Sequence, residues 1–217
     1  MIKPRHRSNP LRAFGMGLAI AMPCCLAFWW FIARNHLLLL MEYVIHPLSA
    51  LLFANHVIGL DSQASLWTLK TSLSPIDNPL NLVAIPVSTT RFTICFPLLW
   101  GLILAMPERR KIHQLITGTL LLFPLALLIV LLLIQFKIAL YINHQPIVTE
   151  TPRGPYLLAL PYPDFVYYLT AVGRQLAMLV LPTLAPLLIW GVLNFTFMRT
   201  LLAKHPTRET ADANTTP

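Results

Sequence analysis

Charge is what this 217-residue sequence has least of: Asp, Glu, Lys and Arg together make up 11% of it, where a soluble domain carries about a quarter. Acid is the scarcer sign, with 8 Asp and Glu against 16 Lys and Arg. With 56% hydrophobic residues in several runs of spanning length, that shortage excludes an ordinary soluble domain and indicates an integral membrane protein. The net charge of +8 has no repeated basic pattern interleaved with aromatic residues, so nucleic acid is not an expected partner. The positive-inside bias accounts for it instead. There are three cysteines, Cys24, Cys25 and Cys95, all inside apolar runs, which gives neither a disulfide framework nor zinc spacing. HExxH, GxSxG, P-loop and Rossmann fingerprints are missing, and the seven histidines are scattered. No cofactor or metal is therefore expected. Inverted repeats, which would favour a transporter, are missing too.

What is present is a succession of apolar segments, and Arg91–Lys111 divides it. There an apolar run, Phe92–Met106, ends on Glu108-Arg109-Arg110-Lys111, a membrane crossing with a basic stop. Before it, residues 1–12 hold Lys3, Arg5, Arg7 and Arg12 and no acid. Residues 13–34 follow as a first transmembrane helix closed by Phe28-Trp29-Trp30-Phe31. An aromatic belt where a cleavage site would stand marks an uncleaved anchor. Residues 35–54 are apolar but contain Glu42, His46 and Pro47, and are expected as an interfacial or re-entrant helix. Residues 55–90 are expected as a β-containing segment. His56–Leu60 and Ser65–Thr71 are strands turning near Asp61-Ser62, Ser74–Asn81 is a loop, and Leu82–Val87 is a third strand.

After the divide, residues 91–107 form the second crossing, 108–112 a basic loop, and 113–142 the third crossing. Residues 143–163, with Pro146, Pro152, Pro155, Pro161 and Pro163, are expected as an extended loop. Residues 164–198 form the fourth helix, N-capped by Asp164 and kinked at Pro182 and Pro186. Residues 199–217 are expected to be a disordered tail. Asn194-Phe195-Thr196 matches a glycosylation sequon, which inside a membrane helix is a chance match. Of the 16 Lys and Arg, 10 fall in residues 1–12, 108–112 and 199–217, and only Lys70 and Arg153 fall in the two long loops on the other side. The fold class is thus membrane, mainly α. It has four transmembrane helices and a small periplasmic β-containing insertion between helices 1 and 2. Both termini are cytoplasmic, in a bacterial inner membrane, and membrane lipids are the first partners.

Four further cations, Arg34, Arg91, Lys137 and Arg174, lie in or near the periplasmic ends of helices. Arg174 lies ten residues past Asp164, roughly 15 Å along a helix axis. A guanidinium at that depth needs protein or a wet cavity around it. Arg91, Lys137 and Arg174, with Glu42 as a nearby acid, make a candidate basic binding site for a carboxylate, a lipid headgroup or a partner. The bland alternative is that each side chain snorkels to the surface. Cys95 lies one turn after Arg91. With a periplasmic histidine (His36, His46, His56 or His144), it is the candidate nucleophile of a thiol transpeptidase or protease. Against that, a cysteine in an apolar helix is usually a small hydrophobe. A small transporter or lipid-binding protein is a third reading.

Three stretches carry a family resemblance: Thr90–Arg110 (TRFTICFPLLWGLILAMPERR), the helix Gln114–Gln135, and Gln175–Phe197 (QLAMLVLPTLAPLLIWGVLNFTF). In order and content they resemble the exosortase H-associated membrane proteins of bacteria. The chain departs from the family pattern at Thr93–Phe96, where it has Thr-Ile-Cys-Phe. The resemblance implies an inner-membrane accessory, without a catalytic centre of its own, to a membrane cysteine transpeptidase that cleaves C-terminal sorting signals. The implied partners are that exosortase or the proteins bearing its signal. Cys95→Ala separates this reading from the enzyme: an accessory keeps its activity in a sorting assay in intact cells, whereas an enzyme that uses Cys95 loses it.

Overall fold

In a computed structural model, the described residues are 10–53, 56–63, 66–76, 82–106, 110–144, 147–151, 154–158 and 160–203. The fold is mainly helical, with two small antiparallel sheets at one end. Three helical stretches are long and apolar enough to cross a membrane: Leu11–Leu52, Lys111–His144 and Asp164–Leu193. A fourth apolar helix, Cys95–Ala105, is shorter.

The first stretch differs from expectation. Helix α1 (Pro10–Phe28) passes through a π-helical turn, Trp29–Ala33, directly into α2 (Arg34–Leu52). The sequence reading placed a separate interfacial helix after residue 34, but the backbone does not break there. Pro47 sits inside α2. Its missing N–H removes one i→i−4 bond and its ring kinks a helix, but neither ends one already held by packing. The packing is visible in the buried stripe Leu38, Met41, Ile45 and Ser49, spaced three to four residues apart as one helix face requires.

Strands β1 (Val57–Gln63), β2 (Leu66–Thr71) and β4 (Ala84–Ser88) form one sheet in the order β1-β2-β4. The strand expected at Leu82–Val87 is β4. The reversal falls past Gln63, because Asp61 and Ser62 pair with Thr68 and Trp67. Alternation along β2 and β4 buries Trp67, Leu69, Thr71, Ile85 and Val87 on one face. That face meets the helices where Trp67 packs on Phe92, with ring centroids 5.5 Å apart.

The second sheet corrects the reading of two loops. β3 (Leu73–Pro75) overlaps the start of the expected Ser74–Asn81 loop, and β5 (Ile147–Thr151) and β6 (Gly154–Leu158) lie within the proline-rich segment, in the order β3-β5-β6. Proline density suggested an irregular loop, yet the strand prolines stand where a sheet tolerates them. Pro75 and Pro155 are in the outer strands of their sheet, and Pro86 is in an outer strand of the other. There no ladder bond needs their missing N–H.

Helix α3 (Thr90–Thr93) leads through Ile94 into α4 (Cys95–Ala105), and α5 (Lys111–His144) follows. α5 buries Gln114, Gly118, Leu122 and Ala126 at four-residue spacing, and leaves Ile116 and Leu120 exposed on another face. The last stretch is α6 (Asp164–Gln175), a π turn at Leu176–Val180, α7 (Leu181–Leu193) and α8 (Phe195–Ala203). The π turn stands immediately before Pro182, which has no N–H to return to the preceding turn. Residues 199–203, expected in the tail, are helical; 204–217 lie outside the described residues.

Close backbone approach joins α1 to α4. A Cβ on Gly17 would stand 2.7 Å from the Ala105 carbonyl oxygen, and one on Gly101 would stand 2.9 Å from the Met22 sulfur. Small residues at such crossings are a membrane-helix device, because without a hydrophobic drive between helices the contact itself must be tight. Gly17→Ala is expected to destabilise the protein by about 1–3 kcal/mol in thermal unfolding in mild detergent. Gly15→Ala, where a Cβ meets nothing within 4 Å, is expected to be neutral or slightly stabilising.

Candidate functional site

The sheet end of the helices collects the cations that the sequence singled out, but in two places. Arg34, just past the π turn, donates from Nη2 to Thr90 Oγ1 at 3.0 Å. Its guanidinium carbon stands 5.1 Å from the centroid of Trp30 and 5.9 Å from that of Trp29. Residues four apart share a helix face, and the π turn, in which the Arg34 N–H bonds to the Trp29 carbonyl, brings the residue five back onto it as well, so Trp29 and Trp30 serve Arg34 as an aromatic platform as well as a belt. Lys137, on α5, donates to the carbonyl oxygen of Pro86. Pro86 stands opposite Thr68, in an outer strand of its sheet. Its carbonyl serves here as the acceptor for an ammonium.

Lys137 and Arg174 line one cleft of about 410 Å³, together with Phe136, Leu140, Tyr141 and His144. Helix α5 supplies all of these but Arg174, at the three- and four-residue spacings of one face. Arg174 comes from α6, which starts at Asp164. The N-cap is Pro163, whose carbonyl accepts from the Tyr167 N–H, and not Asp164 as expected, so Asp164 sits in the first turn without a capping bond. The Arg174 guanidinium stands 4.7 Å from the Phe136 ring centroid, a cation–π distance. His144 in turn faces Tyr167, with centroids 5.7 Å apart. Near the mouth, Asn143 clamps Tyr162: its Nδ2 donates to the Tyr162 carbonyl at 3.2 Å, and its Oδ1 accepts from the Tyr162 N–H at 2.9 Å. This fixes the start of α6 against the end of α5, and with it the position of Arg174.

Two of the four expected binding residues are therefore together. Glu42 is on α2, eight residues past Arg34, and is not part of the cleft lining. Arg91 is in α3, next to Thr90, and its side chain lies outside the described residues. No acid is among the described residues that line the cleft. The one salt bridge among the described residues is Lys70–Asp61, 3.4 Å apart and exposed on the sheet, where such pairs contribute little.

Cys95 is fully buried, and its thiol donates to the Phe92 carbonyl at 3.0 Å. His36 and His46 are exposed on α2, His144 is exposed at the end of α5, and His56 is half-buried at the start of β1. Among the described residues, no group of three His, Cys, Asp or Glu is placed to hold a metal ion.

Sequence reasoning missed the Gln114–Asn194 pair. Gln114 Nε2 donates to Asn194 Oδ1 at 3.0 Å, and Asn194 Nδ2 donates to the Trp190 carbonyl at 3.0 Å. Asn194 is buried at the end of α7, so its sequon is a by-product of a structural amide. Trp100 Nε1 similarly donates to Thr119 Oγ1 at 2.9 Å, joining α4 to α5. Polar pairs of this kind hold membrane helices together at roughly 1 kcal/mol each.

The family profile of the exosortase H-associated membrane proteins matches residues 8–197. The chain belongs to that family. The match runs from the start of α1 through the described strands and into α8, so it takes in both cation sites. Comparisons with curated proteins and with solved structures find no match. An exosortase H-associated chain is a membrane protein by its family, in keeping with three helical stretches long and apolar enough to span.

His56 gives this end of the exosortase-associated chain a pH dependence. Burial lowers its pKa from the ordinary histidine value, because the charged imidazolium is the form that desolvation penalises. A folded pKa below the unfolded one makes this contribution to stability complete above about pH 6.5. It is lost as pH falls through that value towards the lowered one. Hydrogen exchange in β1, corrected for intrinsic rates, is expected to lose protection between pH 7.5 and 5.5. In His56→Gln that loss is expected to disappear.

Proposed function

We propose that this chain is a non-enzymatic accessory of an exosortase-type protein-sorting system in the bacterial inner membrane. It crosses four times: through α1, through α3–α4, through α5, and through α6–α7. Both termini are cytoplasmic and the sheets are periplasmic. The observation that carries this reading is the family match over residues 8–197; the charge asymmetry of the loops supports the orientation. The cleft that holds Lys137 and Arg174 is the surface that contacts the sorting enzyme or its signal-bearing substrates. Support for that assignment comes from two cations, on different helices, lining one cleft. Each is held at the level of its neighbours, by the Pro86 carbonyl and by the Phe136 ring. Cations presented in this way suit a partner that brings negative charge or carbonyl oxygens.

A thiol enzyme receives less support. A nucleophile must reach its substrate, and Cys95 is buried with its thiol engaged by the Phe92 carbonyl.

The test is affinity capture of the tagged full-length chain from native membranes after mild crosslinking, with the captured proteins identified by mass spectrometry. The expected catch is an exosortase or proteins with a C-terminal sorting helix. Lys137→Glu with Arg174→Glu is expected to reduce that catch at least tenfold at unchanged protein level. An unchanged catch would remove the cleft as the contact surface. Recovery of neither class from well-expressed wild-type protein would remove the accessory reading itself.

A further inference from the structure

A second surface, away from the cleft of Lys137 and Arg174, has its own chemistry. Helices α1, α2, α4 and α5 border a laterally open groove of about 820 Å³, lined by residues including Cys24, Phe28, Trp100, Leu115, Ile116 and Phe123. That volume is within the roughly 300–1,000 Å³ of small-molecule sites. The lining is apolar apart from Thr119, whose hydroxyl already accepts from Trp100.

Three observations say what fits it. The first is depth. Along α5 the lining runs from Leu115 to Phe123, roughly 12 Å at helical rise. On α1 and α2 the lining continues from Cys24 to Leu40, roughly 24 Å at the same rise, so only the wall beside Lys111 is close to one leaflet of a hydrocarbon core about 30 Å thick. The second is charge at one end. Lys111 starts α5 one turn before Leu115, and its Nζ donates at 2.8 Å to the carbonyl of Leu104, another lining residue. An ammonium carries three donors, of which this bond takes one. Arg110, exposed, stands beside it. The third is length. Thr90–Ala105 spans roughly 24 Å as helix, so the basic end comes about 6 Å short of a full core. Headgroups must be drawn inwards to meet it.

We propose that this groove is a binding site for an anionic phospholipid of the leaflet on the Lys111 side. The phosphate rests on Lys111 and Arg110, and an acyl chain lies against Cys24, Ile116 and Leu120. A partner's transmembrane helix suits the groove less well. A basic flank at its end would meet Arg110 and Lys111 with like charge. The inference uses neither the cleft nor a sorting partner, and it rests on the proposed crossing through α3–α4.

The test is native mass spectrometry of the full chain released from nanodiscs of equal phosphatidylglycerol and phosphatidylcholine with matched chains. Phosphatidylglycerol is expected to be retained in preference. Lys111→Gln and Arg110→Gln are each expected to lower that preference about fivefold, and Lys111→Arg to keep it. Ile116→Trp, which fills the groove, is expected to reduce retention of both lipids. Inorganic phosphate is expected not to compete; competition would mean a simple anion site and overturn the lipid reading. Equal retention of the two lipids, or a preference unmoved by removing the cations, would also overturn it. A photoreactive benzoylphenylalanine in place of Leu120, irradiated in native membranes, gives an independent readout: a lipid adduct supports the site, and a protein adduct overturns it in favour of a helix.

Discussion

Two cations from two long helices hold the five residues Pro86–Thr90, and the join between sheet and membrane helices depends on that grip. Lys137 binds the Pro86 carbonyl and Arg34 binds the Thr90 hydroxyl. Between them the chain changes from strand to helix, where it must leave one set of backbone partners before acquiring the next. Thr93 assists, its hydroxyl donating to the Thr89 carbonyl at 3.1 Å. Trp67 then seats on Phe92, which sets the height of the sheet over α3. A cation near the apolar interior is expensive without partners; here each has a fixed one, and the arrangement uses its cost to specify a junction.

How much of this was legible in the sequence depends on the distance over which each signal acts. Apolar runs and the Arg109–Lys111 stop are local, and they located α4, α5 and the last helical stretch to within a few residues. Strand alternation found β2 and β4 for the same reason. Continuity of α1 into α2 was not legible, because the aromatic belt and Arg34 look like the end of a crossing and the charge bias of the loops speaks against a second one. What overrides them is burial of Leu38, Met41 and Ile45 against elements far along the chain. The hairpin β5–β6 was missed because proline density speaks against strands, and only a partner strand, β3, reveals that Pro75 and Pro155 stand at edges. Within the cleft, Lys137 and Arg174 were legible as cations at similar depth on one side. The α5 spacing of Lys137, Tyr141 and His144 could have added the other lining residues. Glu42 was grouped with them by side of the membrane alone, a criterion that carries no information about which helix face a residue occupies.

The family and the geometry together describe a membrane protein with two chemically different faces. One is a polar cleft beside the sheets, where α5 and α6 bring Lys137 and Arg174 together. The other is an apolar groove between α1, α4 and α5 with base at its far end. Buried amide and indole pairs, Gln114–Asn194 and Trp100–Thr119, sit inside the bundle and serve neither face directly. Their work is to fix α5 against α7 and α4, so that residues distant in sequence keep constant separations at both faces.

The π turn at Trp29–Ala33 bears on how the chain can change length. Leu11–Leu52 is 42 residues, roughly 63 Å of helix, about twice a hydrocarbon core. One end packs Gly17 on Ala105 while the other packs Met41 and Ile45 within the core that the sheet shares. A single residue gained or lost turns everything beyond it by about 100°, so the two ends are locked in phase like teeth on one shaft. The π turn already accommodates one residue more than an α-helical turn would hold. It is the place where the helix has absorbed a misfit in phase, and the place along the shaft where the next one is most cheaply absorbed.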